Sequence, residues 1–234
     1  TRYGTVTGVQ TCALPISASR GYRVIALSIL GRATQAEQES DAVVRSIADI
    51  EHPFSLAYVH MIVAMAALIR RDWALSVKHA QIGVSISEEH GFHVYAPICQ
   101  FALGVALGRS ESGDGVAAME EGLHRYRKLS ISLCLSFFLT SAAEMYWLCG
   151  RADDAQRALD ESHQVAEKTG EGFWSAETER LSGELLRDQR RAPDALKHFD
   201  KALEIARTQK LRILEIRAAI ALARFHDEDG RQEK

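Results

Sequence analysis

Histidine, cysteine and paired carboxylates are the side chains with which proteins hold metals, attack electrophiles or move protons. In this sequence they are spread along the chain. His60, His79, His90, His93, His124 and His163 fall in separate stretches. The closest pair, His90 and His93, brackets Gly91 without a carboxylate or third ligand at metal-binding spacing, so it reads as a helix-end feature. Cys12, Cys99, Cys134 and Cys149 show no Cys-x-x-Cys spacing and read as small apolar side chains. No secretion signal is visible, so reduced thiols in a cytoplasm are expected. Gly-x-Ser-x-Gly, phosphate-binding and dinucleotide-binding loops are missing from the sequence. These residues point to a non-catalytic chain with no metal and no cofactor.

The carboxylates with the most informative spacing are Glu177 and Glu184, seven positions apart and hence on one face of a helix. A step of 40 residues carries them to Arg217 and Arg224. Stacked repeats set equivalent positions side by side, so two ion pairs are expected, Glu177–Arg217 and Glu184–Arg224. The sharper alternative is a general acid/base pair. Aromatic residues supply the binding chemistry. Tyr58, Tyr95, Phe137, Phe138, Trp147, Phe173 and Trp174 cluster at the predicted first helices or their entries, where they could anchor a partner in a groove. The alternative is ordinary core packing. Trp174 is the expected exposed anchor, because it follows Gly170 and Gly172.

Helices must position all of these. Apolar residues recur every three or four positions, with charges between them. They predict helix pairs over 22–30 and 34–50, 53–69 and 72–89, 93–107 and 114–129, 132–149 and 152–169, then 173–188 and 193–209. A lone sixth first helix spans 212–228. Pro53 suits a first turn and Asp72 an N-cap. The loop at 110–113 is longer than its counterparts. Segments 53–69 and 131–149 approach the length and apolarity of a membrane span. His60 and Glu144 interrupt them, and buried repeat helices are the preferred reading.

The layout repeats. Gly150, Arg190 and Gly230 fall 40 apart in turns, and Ala155 and Ala195 follow at the same step. Ser162 and Ala202 lie seven residues beyond those, and Gly115 with Gly122 forms the same small pair one repeat earlier. Such a period is the signature of a solenoid. The fold class expected is all-α: a TPR-like right-handed superhelix of antiparallel helix pairs with a period of about 40 residues. Residues 18–234 form one domain of five pairs plus one helix. Residues 1–17 resemble a translated sequencing adapter and are expected to be an artefact without structure. The natural protein is then expected to extend further.

Four segments carry a family resemblance. They are Glu177-x-x-Arg180-Leu181-x-Gly183-Glu184-Leu185-Leu186, Ala202-Leu203-Glu204-x-Ala206-Arg207-x-Gln209, Glu215-Ile216-Arg217-Ala218-Ala219-x-x-Leu222-Ala223-Arg224, and His52-Pro53-Phe54-Ser55-Leu56-Ala57. Residues 22–231 resemble the C-terminal tetratricopeptide-like region of large bacterial multidomain regulators. In that family a class III adenylate/guanylate cyclase or DNA-binding domain precedes a STAND/AAA-type ATPase and then the repeats. The resemblance implies a regulatory, protein-interaction role toward a protein partner, an intramolecular ATPase or cyclase domain, or a small inducer. No cyclase or ATPase motif lies in this chain. Its net charge of −3 gives no nucleic-acid or polybasic membrane surface. A free-standing adaptor that clamps a peptide is the alternative, and an enzyme with an unrecognised site the least favoured.

Overall fold

Helix length sets this architecture, and the helix ends set the length. The computed structural model describes residues 8–47, 52–109 and 115–232, with side chains described over 18–47, 52–109 and 115–227. All elements among the described residues are helices. They are α1 (Gly8–Ile29), α2 (Ala33–Ile47), α3 (Pro53–Arg70), α4 (Trp73–Glu89), α5 (Tyr95–Gly108), α6 (Val116–Lys128), α7 (Leu135–Leu148), α8 (Ala152–Thr169), α9 (Ser175–Asp188), α10 (Ala192–Thr208) and α11 (Arg212–Gln232).

A residue in the left-handed region follows most of them: Gly31, Arg71, Gly91, Ser130, Gly150, Gly170, Arg190 and Lys210. Wherever the described residues allow the step to be read, it is about 20, one helix plus its turn. Beyond six of these residues, an N–H reaches back to close the last turn. Asp72 donates to Ala67 O at 2.9 Å, Phe92 to Ser87 O at 2.8 Å, Arg151 to Tyr146 O at 2.9 Å, and Arg191 to Leu186 O at 2.9 Å. These bonds satisfy carbonyls that a helix end otherwise leaves unpaired. Glycine takes this conformation without strain, whereas arginine and lysine do not. The other end has its own closures. Asp72 Oδ1 accepts from Leu75 N at 3.1 Å, and His52 Nδ1 from Ser55 N at 3.3 Å.

The sequence reading and the structure differ in two places. α1 starts at Gly8, inside the stretch expected to lack structure. Val9, Cys12, Ala13 and Ile16 have helical spacing. Residues 1–7 lie outside the described residues, as do the 110–113 loop, the end of the predicted 34–50 helix and the Cys12 side chain. The single expected domain is resolved into two compact units, Thr1–Ser28 with Arg32–Tyr126, and Ile29–Gly31 with Arg127–Lys234. In repeat arrays each element contacts only near neighbours, so compactness is local.

In the first unit Val24, Val43, Ile47, Val59, Val63 and Ala66 make a core cluster. Helices α5 and α6 approach until their backbones touch. A Cβ at Gly122 would lie 2.5 Å from Phe101 N, and one at Gly104 would strike Met119 N. In the second unit Ala143, Ala155, Ala158, Leu159, Leu181 and Leu185 form one cluster, and Leu186, Ala195, Phe199, Ala221 and Phe225 the next. Helix α3 is long and apolar enough to cross a bilayer by length and composition, and 72% of it is buried inside the protein.

Replacing Arg190, whose side chain is exposed at φ 61°, by glycine removes a left-handed strain. Arg190→Gly is expected to raise unfolding free energy by about 0.5–1 kcal/mol, and Gly150→Ala to lower it by a similar amount. Urea denaturation of both variants checks the pair, and equal signs would rule out the strain argument.

Candidate functional site

Helix α9 is the centre of the second unit, buried along Ala176–Leu186 although half of that run is polar. Its polar residues sort onto two faces.

One face carries an ion-pair array. Arg180 grips both Glu177 oxygens, Nε to Oε2 at 3.1 Å and Nη2 to Oε1 at 3.0 Å. The same guanidinium reaches Glu184 Oε1 at 3.3 Å and Glu144 Oε1 of α7 at 3.5 Å. Arg217 Nη1 of α11 lies 3.2 Å from Glu177 Oε1, which joins neighbouring first helices across one repeat. Glu184 differs from the expectation. Its ion-pair partners are Arg180 and, at 2.9 Å, Arg187 Nη1. Arg224 acts on it only through its charge, because Arg187 is one turn away on the same helix while Arg224 is exposed. The 2.9 Å contact of Arg187 is poorly angled, so Glu184 Oε2 gains charge compensation without a hydrogen bond. Burial raises the Glu184 pKa, only partly offset by Arg187 and Arg180. For Arg180, burial alone would depress the pKa, yet the charge and hydrogen bonds of Glu177, with Glu144 and Glu184, push it up. Guanidinium groups bind the carboxylates that the sequence offered as an acid/base pair.

The other face meets α8 and α10. Glu179 is 2% exposed. It accepts from His198 Nδ1 at 2.6 Å and pairs with Lys201 Nζ at 2.7 Å, with His163 Nδ1 of α8 at 3.9 Å. Burial opposes its ionisation, but the hydrogen bonds of His198 and Lys201 and the charge of His163 leave its pKa lowered. Beside this cluster is a polar cleft of about 390 Å³, lined by His163, Ser182, Leu186, Arg191, Asp194 and His198 among others. A third polar contact threads the same helices. The hydroxyls of Thr140, Ser162 and Thr178 bond in series, at 2.9 Å and 2.8 Å from Thr140.

The aromatic residues part company with the expectation. Trp174 is 3% exposed. Its ring packs edge-on against Phe137 at 4.9 Å and beside Phe173 at 5.9 Å, with the Arg217 guanidinium 5.8 Å above it. As the N-cap residue of α9 it turns into the seam between first helices instead of away from it. Phe137 and Phe138 are buried too. Trp147 is half-buried, its Nε1 donating to Asp188 Oδ2 at 2.7 Å. Tyr58 and Tyr95 in the first unit are half-buried, with Phe54 5.0 Å from Tyr95.

Sequence reasoning missed two contacts, both 19 residues apart. One is Glu179–His198 and the other His60–His79, whose Nδ1 atoms lie 2.8 Å apart in buried, stacked rings. Burial lowers both pKa values, that of His60 to about 4. Part of the signal was available: in an antiparallel pair the separation of contacting residues grows with distance from the turn, from 12 for Ser76–Ala64 to 22 for Thr140–Ser162, and mid-helix residues meet at about 19. Among the described residues no group of three or more metal-ligating side chains could hold an ion. Cys99, Cys134 and Cys149 are free, and burial pushes the Cys99 thiol up to about 12 and that of Cys134 to about 11.

The sequence profile of the tetratricopeptide repeat family matches residues 138–208, which hold the two helix pairs just described. The fold is a tetratricopeptide-type helical repeat. The structure of aspartyl phosphate phosphatase F from Bacillus subtilis is similar over 92% of this chain, with a TM-score of 0.56 and 11% identity. This chain spans 60% of the length of that one. No curated protein matches the sequence.

Arg180→Met leaves carboxylates of α7 and α9 without their shared cation. It is expected to cost roughly 3–5 kcal/mol, read from denaturant unfolding; a loss below about 1 kcal/mol would mean the array is structurally idle. The Glu179 linkage has a definite sign. Its folded pKa lies below the ordinary 4.5, so its contribution is present above that value and is lost as pH falls through the folded pKa. Glu179→Gln is expected to lower stability by about 1–2 kcal/mol at pH 6, and to flatten the acid side of the stability–pH curve. Parallel acid limbs for both proteins would contradict the assignment.

Proposed function

We propose that this chain is a non-catalytic protein-interaction module that serves as the C-terminal sensor or scaffold region of a multidomain signalling ATPase, adenylate cyclase or transcriptional regulator. The observation that carries the interaction reading is a row of tyrosines on successive first helices of the first unit. Tyr22 on α1 is 64% exposed. Tyr58 on α3 and Tyr95 on α5 are half-buried with ring centroids 5.9 Å apart. Burial raises the pKa of Tyr58 and Tyr95, and Tyr22 adds to both shifts through its charge. Both hydroxyls stay protonated, and that of Tyr58 donates to Ala18 O at 3.5 Å. Rigid, half-exposed tyrosines combine large contact area with a polar tip, which suits them to anchor a protein partner.

The parent-protein reading rests on the four sequence segments that resemble the regulators' repeat region. In that setting, a partner or small inducer that binds the repeats differently in two arrangements would bias the attached ATPase domain between off and on states. The likeness to aspartyl phosphate phosphatase F carries the fold and no activity.

Sequencing the genomic locus upstream of Ala18 separates the readings. A reading frame that continues into a phosphate-binding loop supports the regulatory tail, and a start codon close by leaves a free-standing adaptor. With the upstream ATPase domain expressed separately, Tyr22→Ala is expected to weaken its binding about tenfold in calorimetric titration. The melting temperature is expected to stay unchanged, because the side chain is exposed. Unaltered affinity would remove the tyrosine row as the docking surface.

A further inference from the structure

Helix α4 reaches across its buried seam with α3 at Ser76 and His79. Ser76 Oγ donates to Ala64 O at 3.1 Å, a bond without a titratable group. One turn on, the Nδ1 atoms of His79 and His60 lie 2.8 Å apart, and the two residues are 5% and 8% exposed.

Two imidazoles make that contact only as a complementary pair. One is the tautomer with hydrogen on Nδ1, and the other keeps its Nδ1 lone pair and carries hydrogen on Nε2. An added proton has two destinations. On the acceptor's Nδ1 it sets two N–H groups face to face and breaks the bond. On the donor's Nε2 it spares the bond but leaves a charge in the seam, on an N–H with nothing to accept it. Among the described residues neither Nε2 has a hydrogen-bond partner. A buried charge is costly unless it is paired and hydrogen-bonded.

The surroundings favour the neutral pair. Helix α4 itself contributes Lys78, a like charge that acts on both rings. Helix α2 contributes Asp41, which favours a charged His79 through its field but forms no ion pair with it. From α5 comes Cys99, let in by Gly83, where a Cβ would lie 2.5 Å from the sulfur and 3.7 Å from His60 Cβ. Its thiol, pushed up to about 12 by burial, brings no charge. On the α1 side, Val24 packs with Val59 and Val63.

We propose that the His60–His79 contact is an acid-sensitive latch, holding α3 on α4 while both rings are neutral and releasing the seam when either takes up a proton. The ordinary pKa of both rings is 6.5, and burial lowers it, to about 4 for His60. In the closed pair each ring therefore binds fewer protons than in the opened helices. The stabilisation is full above about 6.5 and is lost progressively as pH falls toward the folded values. Tyr58 stands on α3 and touches Tyr95 of α5 at 5.9 Å between ring centroids, so opening this seam removes the support of that contact. The latch stands whether or not the tyrosine row binds a partner.

The test is hydrogen exchange of the whole chain at pH 7 and pH 5, expressed as protection factors so that the intrinsic effect of pH on exchange drops out. Protection in α3 and α4 is expected to fall at least about tenfold relative to that in α9. Helix α9 is a suitable reference, because burial and its partners leave the Glu179 pKa below 4.5 and its contribution intact at pH 5. A variant with both His60→Asn and His79→Asn keeps an amide hydrogen bond across the seam and takes up no proton. Its α3 and α4 are expected to change by less than about twofold over the same range. Constant protection from pH 7 to pH 5, an equal fall in α9, or as large a fall in the double variant overturns the proposal. Nitrogen-15 NMR of the unmutated chain decides the matter if the variant does not fold. One Nδ1–H and one Nε2–H tautomer are expected at pH 7, with both titration midpoints below 6.5. A midpoint at or above 6.5 for either ring equally overturns it.

Discussion

The constraint from which the rest follows is the left-handed residue that ends the helices at steps of about 20. Helices of nearly equal length joined by nearly equal turns place each side chain beside its equivalent in the next repeat. The spacings of the cross-helix contacts report this directly. Thr140 meets Thr178 at a separation of 38, Glu177 meets Arg217 at 40, and Trp147 meets Asp188 at 41. Within a pair, His60–His79 and Glu179–His198 both stand 19 apart. If one turn lengthened by a residue, the next helix would rotate by roughly a hundred degrees, since 3.6 residues make a turn. The contacts that cross that turn would then be lost together.

Within that geometry, polar burial fixes specificity. A helix as polar as α9 would ordinarily leave one face in water. Here Arg180 neutralises Glu177, Glu184 and Glu144 on one side, and Lys201 neutralises Glu179 on the other, with His198 hydrogen-bonded to the same carboxylate. Desolvation offsets much of the attraction in such arrays, so their weight lies in rejecting wrong registers more than in raising stability. A helix shifted by one position would bury carboxylates without cations. The loop carboxylate of Glu171 acts alike on the turn before α7, accepting from Cys134 N at 2.5 Å and from Ser136 Oγ at 2.6 Å.

The centre of the second unit and its last helix differ chemically. Helix α9 is covered on all sides and satisfied internally, whereas α11 keeps the apolar pattern of a covered helix on a face the unit leaves open.

Apart from the first half of α1, the helices, their pairing, the repeat step and the Glu177–Arg217 register were legible in the sequence, because all of these depend on local periodicity and on a constant translation along the chain. Glycine and proline marked several helix ends, but Arg71, Ser130, Arg190 and Lys210 take the same left-handed conformation without advertising it. Only the tertiary structure decided which way side chains face once helices are stacked. Trp174, at a helix start beside glycines, reads as exposed until Phe137 and Arg217 arrive from other helices to enclose it. Glu184 had three arginines within reach of its spacing, and the two on its own helix, Arg180 and Arg187, prevailed over the one a repeat away. Orientation about a helix axis is a property of neighbours, and neighbours are set by the whole stack of helices.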